Sequence, residues 1–136
     1  MIIQMSFGMK NISDDYIIGI SYGFHDSAVA LIQNGKVLNA VEEERFTGIK
    51  HDNQFPINSI NWILKENKIN GQQISAVCYY ENPKLKLDRI IKNFMSYKPH
   101  RYNLFGEVLT TQYKRWKVLK KQFPKIQFVN HHQSHA

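Results

Sequence analysis

Residues 16–42 read YIIGISYGFHDSAVALIQNGKVLNAVE, and this stretch decides the fold. It holds three apolar runs of strand length, over 16–22, 27–33 and 36–42. Asn34-Gly35 separates the second run from the third. Two residues that both tolerate positive φ, set between apolar runs, form the strongest short hairpin signal. Gly23-Phe24-His25-Asp26 joins the first run to the second in another tight connection. The expectation is three strands in a meander.

Working outward, residues 1–14 lack periodicity and lead into Ser13-Asp14-Asp15, the pattern of a flexible N-terminal extension. On the other side, residues 43–55 read as a polar loop. Pro56 then opens a helix with Ile57, Ile60, Ile63 and Leu64 along one side. A fourth strand is expected over 74–80. Pro83 opens a second helix, with Leu87, Ile90, Ile91 and Phe94 at helical spacing, ending before Pro99. A third helix is expected from about Glu107 to Gln122, and a short last strand over 126–129. Three meandering strands followed by helix, strand, helices and strand predict an α/β protein. The order is that of the opening of a ribonuclease-H-like fold, the actin, hexokinase and Hsp70 type of ATPase, with an antiparallel hairpin ahead of crossover helices. The expectation is the N-terminal part of that fold, incomplete at its end.

Composition bounds the rest. A chain of 136 residues with 43% hydrophobic content fits one domain and can bury a core. Its single cysteine, Cys78, excludes a disulfide framework and sits in an apolar strand-like run, where a packed core residue is expected rather than a nucleophile. No apolar stretch approaches the ~18 residues of a membrane span, and the start has no secretion-signal pattern, so a cytoplasmic location and no membrane partner are expected. Net charge is +7, but the segment from Lys84 to Lys125 carries +10 and everything else sums to −3. Such a segment serves nucleic acid, nucleotide phosphates, an acidic protein surface, or simply a solvated helical face.

Three groups of residues could carry chemistry. Gly23-Phe24-His25-Asp26-Ser27 places an imidazole, a carboxylate and a hydroxyl on one turn, where they could present acid–base groups and backbone N–H donors to an anion. Ordinary turn chemistry also explains Asp-Ser there. In the stretch 42–52, EEERFTGIKHD, Lys50 could hold phosphate and His51 could shuttle protons, or the run could be a solvated loop. The third group closes the chain as His131-His132-Gln133-Ser134-His135-Ala136. On a helix, His131 and His135 would be separated by about 400° of rotation and so share a face, the arrangement that offers two imidazoles to one metal ion.

Taken in order, HDSA at 25–28, EERF at 43–46, KHD at 50–52 followed by Phe55-Pro56, and HHQSHA at 131–136 resemble the N-terminal part of the NodU/CmcH-type O-carbamoyltransferases. The resemblance spans residues 16–136. It implies a domain like that of the universal tRNA threonylcarbamoyl transfer proteins, which moves a carbamoyl group from carbamoyl-adenylate to a hydroxyl of a small-molecule or sugar acceptor. A further domain would make the adenylate from carbamoyl phosphate and ATP. It also implies His131 and His135 as ligands of iron (Fe2+) or another divalent metal, and His25 and Asp26 as catalytic groups on the phosphate-side turn. Ser27, Lys50 and His51 would lie against the carbamoyl-adenylate. Gly48 is a departure, because the family carries a basic residue there. The remainder of the enzyme, in cis or as a separate chain, is the expected partner, and this chain alone is expected to be inactive. RNA is the alternative partner.

Overall fold

The structure, a computed structural model, describes residues 15–24, 26–97, 102–123 and 126–129. The expected extension at 1–14, His25, and the closing histidines His131 and His135 lie outside these residues. Strands β1 (Tyr16–Ser21), β2 (Ala28–Gln33) and β3 (Lys36–Glu42) come first, then the one-turn helix α1 (Glu44–Thr47) and helix α2 (Ile57–Glu66). Strand β4 (Ile74–Tyr79), helices α3 (Pro83–Tyr97) and α4 (Tyr102–Gln122), and strand β5 (Gln127–Phe128) follow. Together they form a mixed α/β structure on a five-stranded sheet in the order β3-β2-β1-β4-β5. The meander β1–β2–β3 is antiparallel, whereas β4 pairs parallel to β1 and β5 parallel to β4. Parallel neighbours require crossovers, supplied by α2 and by the α3–α4 pair. Among the described residues no helix is long and apolar enough to cross a membrane.

The Asn-Gly hairpin forms as its chemistry requires. Asn34 and Gly35 have φ of 51° and 77°, both in the left-handed region that matches the twist of the flanking strands. Register then follows from alternation. Ile18 pairs with Leu31 and with Val77, and Ile20 pairs with Val29 and with Tyr79. All six side chains therefore fall on one face, and all are buried. Ile60, Ile63 and Leu64 of α2 close over that face together with Leu119 of α4, Phe123 and Ile126. Each such aliphatic side chain contributes about 1.5–3 kcal/mol by leaving water. The opposite face carries Gly19, Ala28, Ala30 and Ala76, small and half-buried.

Three expectations needed correction. The loop after β3 contains α1, which ends where Gly48 takes a φ of 68° and donates its N–H to the Glu44 carbonyl. Helix α4 begins at Tyr102 rather than Glu107, running through Gly106. An interior glycine costs only about 1 kcal/mol, which the long helix after it outweighs. Cys78 stands on the half-buried face of β4 rather than in the core cluster, and burial raises its thiol pKa, which disfavours the reactive thiolate.

Candidate functional site

The end of β1, the start of β2 and the loop after β3 meet at one corner of the sheet. Three backbone hydrogen bonds join them. Gly23 N–H donates to Asn53 O (2.9 Å), Ser27 N–H to Asp52 O (2.8 Å), and Glu43 N–H to Ser27 O (2.8 Å). Two stretches that are separate motifs in the sequence, HDSA and the EERF–KHD run, therefore fold as one unit.

Side chains fix the loop further. Glu43 is only 2% exposed, although its sequence context is a run of acids next to basic residues. Its carboxylate accepts from Asn58 N–H (3.0 Å) and Asn58 Nδ2 (2.8 Å) on one oxygen, and from Ser59 N–H (2.8 Å) and Ser59 Oγ (2.5 Å) on the other. These donors form the first turn of α2, whose N-cap residue is Pro56 and has no side-chain acceptor to offer. Glu43 thus caps the helix from fifteen residues away and sets its negative charge against the positive end of the helix dipole. The sequence readings of this run, as a phosphate-holding and proton-shuttling stretch or as a solvated loop, miss this role for Glu43. Asp52 is also buried. It accepts from Thr47 Oγ1 (2.8 Å) and Gln54 N–H (2.9 Å) and closes the loop on itself.

On this frame His51 and Asp26 meet. His51 Nδ1 lies 2.9 Å from Asp26 Oδ1, and the two side chains are 63% and 42% exposed. Both residues take left-handed backbone conformations, with φ of 58° and 51°. Such conformations are uncommon outside glycine and need support from the surrounding structure. The His51 N–H donation to Glu44 Oε2 (3.2 Å) and the Ser27–Asp52 backbone bond supply it. The hydrogen bond His51 donates to Asp26, then the charge of Asp26, then that of Glu44, hold the His51 pKa above the ordinary 6.5. With Nδ1 turned to the carboxylate, Nε2 is the ring atom that can exchange a proton with a ligand.

Ser27 lies at the base of the same corner, 1% exposed, and its Oγ has no hydrogen-bond partner among the described residues. A buried hydroxyl without a partner costs free energy, so Ser27 is the polar group here most in need of one. Lys50 is exposed on the loop next to His51. Asp26, Ser27 and His51 are thus brought together, with Lys50 adjoining.

One contributor to this corner is invisible in sequence. Arg115 of α4 lies across the turn at Gly23, so close that a Cβ at position 23 would sit 2.9 Å from its Nε. Gly23 has a φ of 91°, so both its backbone and its missing side chain are needed. Tyr22 donates its hydroxyl proton to the Arg115 carbonyl (3.3 Å), and Tyr79 donates to Tyr22 O (2.9 Å). Burial pushes the Tyr22 pKa up to about 12, with Arg115 pulling weakly the other way. The only sequence signal was the glycine at position 23. Its partner lies more than ninety residues away. Among the described residues no group of three or more His, Cys, Asp or Glu side chains is arranged to hold a metal ion.

The architecture is therefore an α/β domain that presents an acid–base pair, a buried hydroxyl and two cations at the corner between two motifs. Residues 16–136 match the family described as Carbamoyltransferase N-terminus, and the chain belongs to that family. It is 33% identical over 136 residues to an uncharacterized protein of Synechocystis sp., covering 89% of this chain and 22% of that protein. It is 29% identical over 139 residues to the nodulation protein NolNO of Sinorhizobium fredii, covering 98% of this chain and 20% of NolNO. An uncharacterized 19.2 kDa protein of Rhizobium etli is 39% identical over 56 residues, 41% of this chain and 33% of that protein. The chain thus spans about one fifth of the length of the first two relatives.

Proposed function

We propose that the chain is the N-terminal part of a carbamoyltransferase that moves a carbamoyl group from carbamoyl-adenylate, made from carbamoyl phosphate and ATP, to a hydroxyl of a small-molecule or sugar acceptor. The observation that carries this reading is the family match over residues 16–136, two stretches of which, 26–28 and 43–53, meet at the Asp26–His51 pair. The strand order β3-β2-β1-β4-β5, with an antiparallel meander and parallel crossovers, supports a ribonuclease-H-like architecture.

The transfer divides into two tasks. The acceptor oxygen must lose its proton as it attacks the carbamoyl carbon, and the bond from that carbon to the adenylate phosphate oxygen must break with AMP as leaving group. His51 Nε2 takes the proton, while Asp26 fixes the tautomer and stabilises the imidazolium that forms. His25, the neighbouring imidazole on the turn, is the other candidate for this task. Lys50 supplies positive charge to the phosphate side, and the Ser27 hydroxyl supplies a directed donor.

His131 and His135 are proposed to hold iron(II) or another divalent metal together with donors from the remainder of the enzyme, and the metal would neutralise phosphate charge. The expected partners are the acceptor and the remainder of the enzyme, and the expected location is the cytoplasm. On this reading the chain by itself does not carbamoylate an added acceptor given ATP and carbamoyl phosphate, and turnover by the purified chain would overturn that part.

The deciding experiment is NMR titration of the chain with a non-hydrolysable carbamoyl-adenylate analogue. Saturable shifts at Ser27, Lys50 and His51, lost in His51→Ala, are the expected result. Shifts confined to other surfaces, or none, would sink the assignment.

A further inference from the structure

Helices α3 and α4 pack against each other, yet among the described residues none of α3 belongs to the buried core and α4 contributes Leu119 alone. Their apolar stripes are instead spent on a groove between them. Leu87 and Ile91 of α3 face Leu109, Tyr113 and Trp116 of α4 across a cavity of about 420 Å³. The stripes continue past what the pair itself covers, with Tyr113 58% exposed and Met95, four residues beyond Ile91, 71% exposed. Apolar side chains at that spacing on both walls match the anchor pattern of an amphipathic helix laid in a groove.

The rim decides what kind of helix. Lys84 lines the groove. Lys117 follows Tyr113 by four residues, so it lies on the same side of α4. Over α3 and α4 there are nine Lys and Arg against two acids, and one of those acids, Asp88, is already held by Lys92 at 2.7 Å. A second copy of the chain would bring this positive charge against itself. A nucleic-acid backbone would need cations on the groove floor, which is aliphatic and aromatic, and a lipid surface would not fill a concavity.

We propose that the α3–α4 groove docks an acidic amphipathic helix of a partner protein, with Leu or Phe side chains filling the cavity and carboxylates meeting Lys84 and Lys117. The proposal is independent of the transfer chemistry, since the groove shares no residue with the Asp26–His51 corner.

The test uses the purified chain, a fluorescent synthetic helix with Leu at every third or fourth position and Glu elsewhere, and the same peptide with Lys replacing Glu. The acidic peptide should bind with one-to-one stoichiometry and weaken about tenfold in Tyr113→Glu, an exposed position where folding is not at stake and circular dichroism checks it. Raising salt from about 0.05 to 0.3 M should weaken it several-fold, and Lys117→Glu should reduce that salt dependence. Equal binding of the two peptides, or none, would overturn the proposal. So would dimerisation, RNA binding or anionic-vesicle binding that Tyr113→Glu abolishes while peptide binding is absent.

Discussion

Glu43→Ala is the substitution that most directly tests how the loop before α2 is held. In the structure the Glu43 carboxylate takes four hydrogen bonds from the first turn of α2 and is almost entirely buried. Removing an N-terminal cap costs about 0.5–2 kcal/mol. Asn58 is exposed, so water can replace the acceptor for its amide groups. Ser59 is fully buried, so its N–H and hydroxyl lose their partner with no substitute at hand. Leaving a buried donor unpaired costs about 1–3 kcal/mol. Together these put the loss at about 1.5–5 kcal/mol, a large share of the roughly 5–15 kcal/mol that holds a domain of this size together.

Urea unfolding of the purified chain, followed by far-ultraviolet circular dichroism, measures this loss, and in a Trp116→Phe background Trp62 fluorescence reports on α2 itself. Glu43→Gln keeps the shape and one acceptor oxygen but turns an amide nitrogen toward one pair of donors, so a smaller loss of about 1–2 kcal/mol is expected. That variant keeps the measurement possible if the alanine chain does not fold. A change of less than about 0.5 kcal/mol in Glu43→Ala would mean that Glu43 is a solvated surface acid and that the capping argument is wrong.

Other outcomes follow from the same corner. His51 should titrate above 6.5 by NMR, and Asp26→Asn should bring it back down; an unchanged midpoint in that variant would break the pairing. The sign for stability is that of a raised histidine pKa, so the pair's contribution is complete below 6.5 and lost as pH rises through the folded-state value. Ser27→Ala should leave stability unchanged or raise it, because its Oγ has no partner among the described residues, and a clear loss in thermal unfolding would reveal a hydrogen bond. Gly23→Ala should cost about 1–3 kcal/mol through positive φ and the clash with Arg115, and Arg115→Ala in the same chain should recover only the clash. Tyr22 should ionise near pH 12 in an absorbance titration, with stability falling between about pH 10 and 12 as the unfolded chain loses its phenol proton first.

The sequence by itself determined the meander. Alternation and the Asn-Gly turn are local properties, and a strand that slipped by one residue would turn Ile18 and Ile20 out of the core. The helices over 57–66 and 83–97 were legible for the same reason, since apolar spacing and an opening proline act within a few residues. Local signals also misled. The acidic run ahead of Arg45 reads as solvated, and the third helix reads as starting at about Glu107, five residues after its true start.

What the tertiary structure alone decided is which polar groups meet. Glu43 became a buried helix cap because Pro56 left the first turn of α2 without an acceptor and the strand β3 ends beside it. Asp26 and His51 became a pair because three backbone bonds clamp their two loops together, and Arg115 reached Gly23 only once α4 packed over the sheet. Contacts between residues this distant in the chain depend on where whole elements come to rest. Pattern within a few residues therefore fixed the strands and helices of this protein, while packing assembled its candidate site.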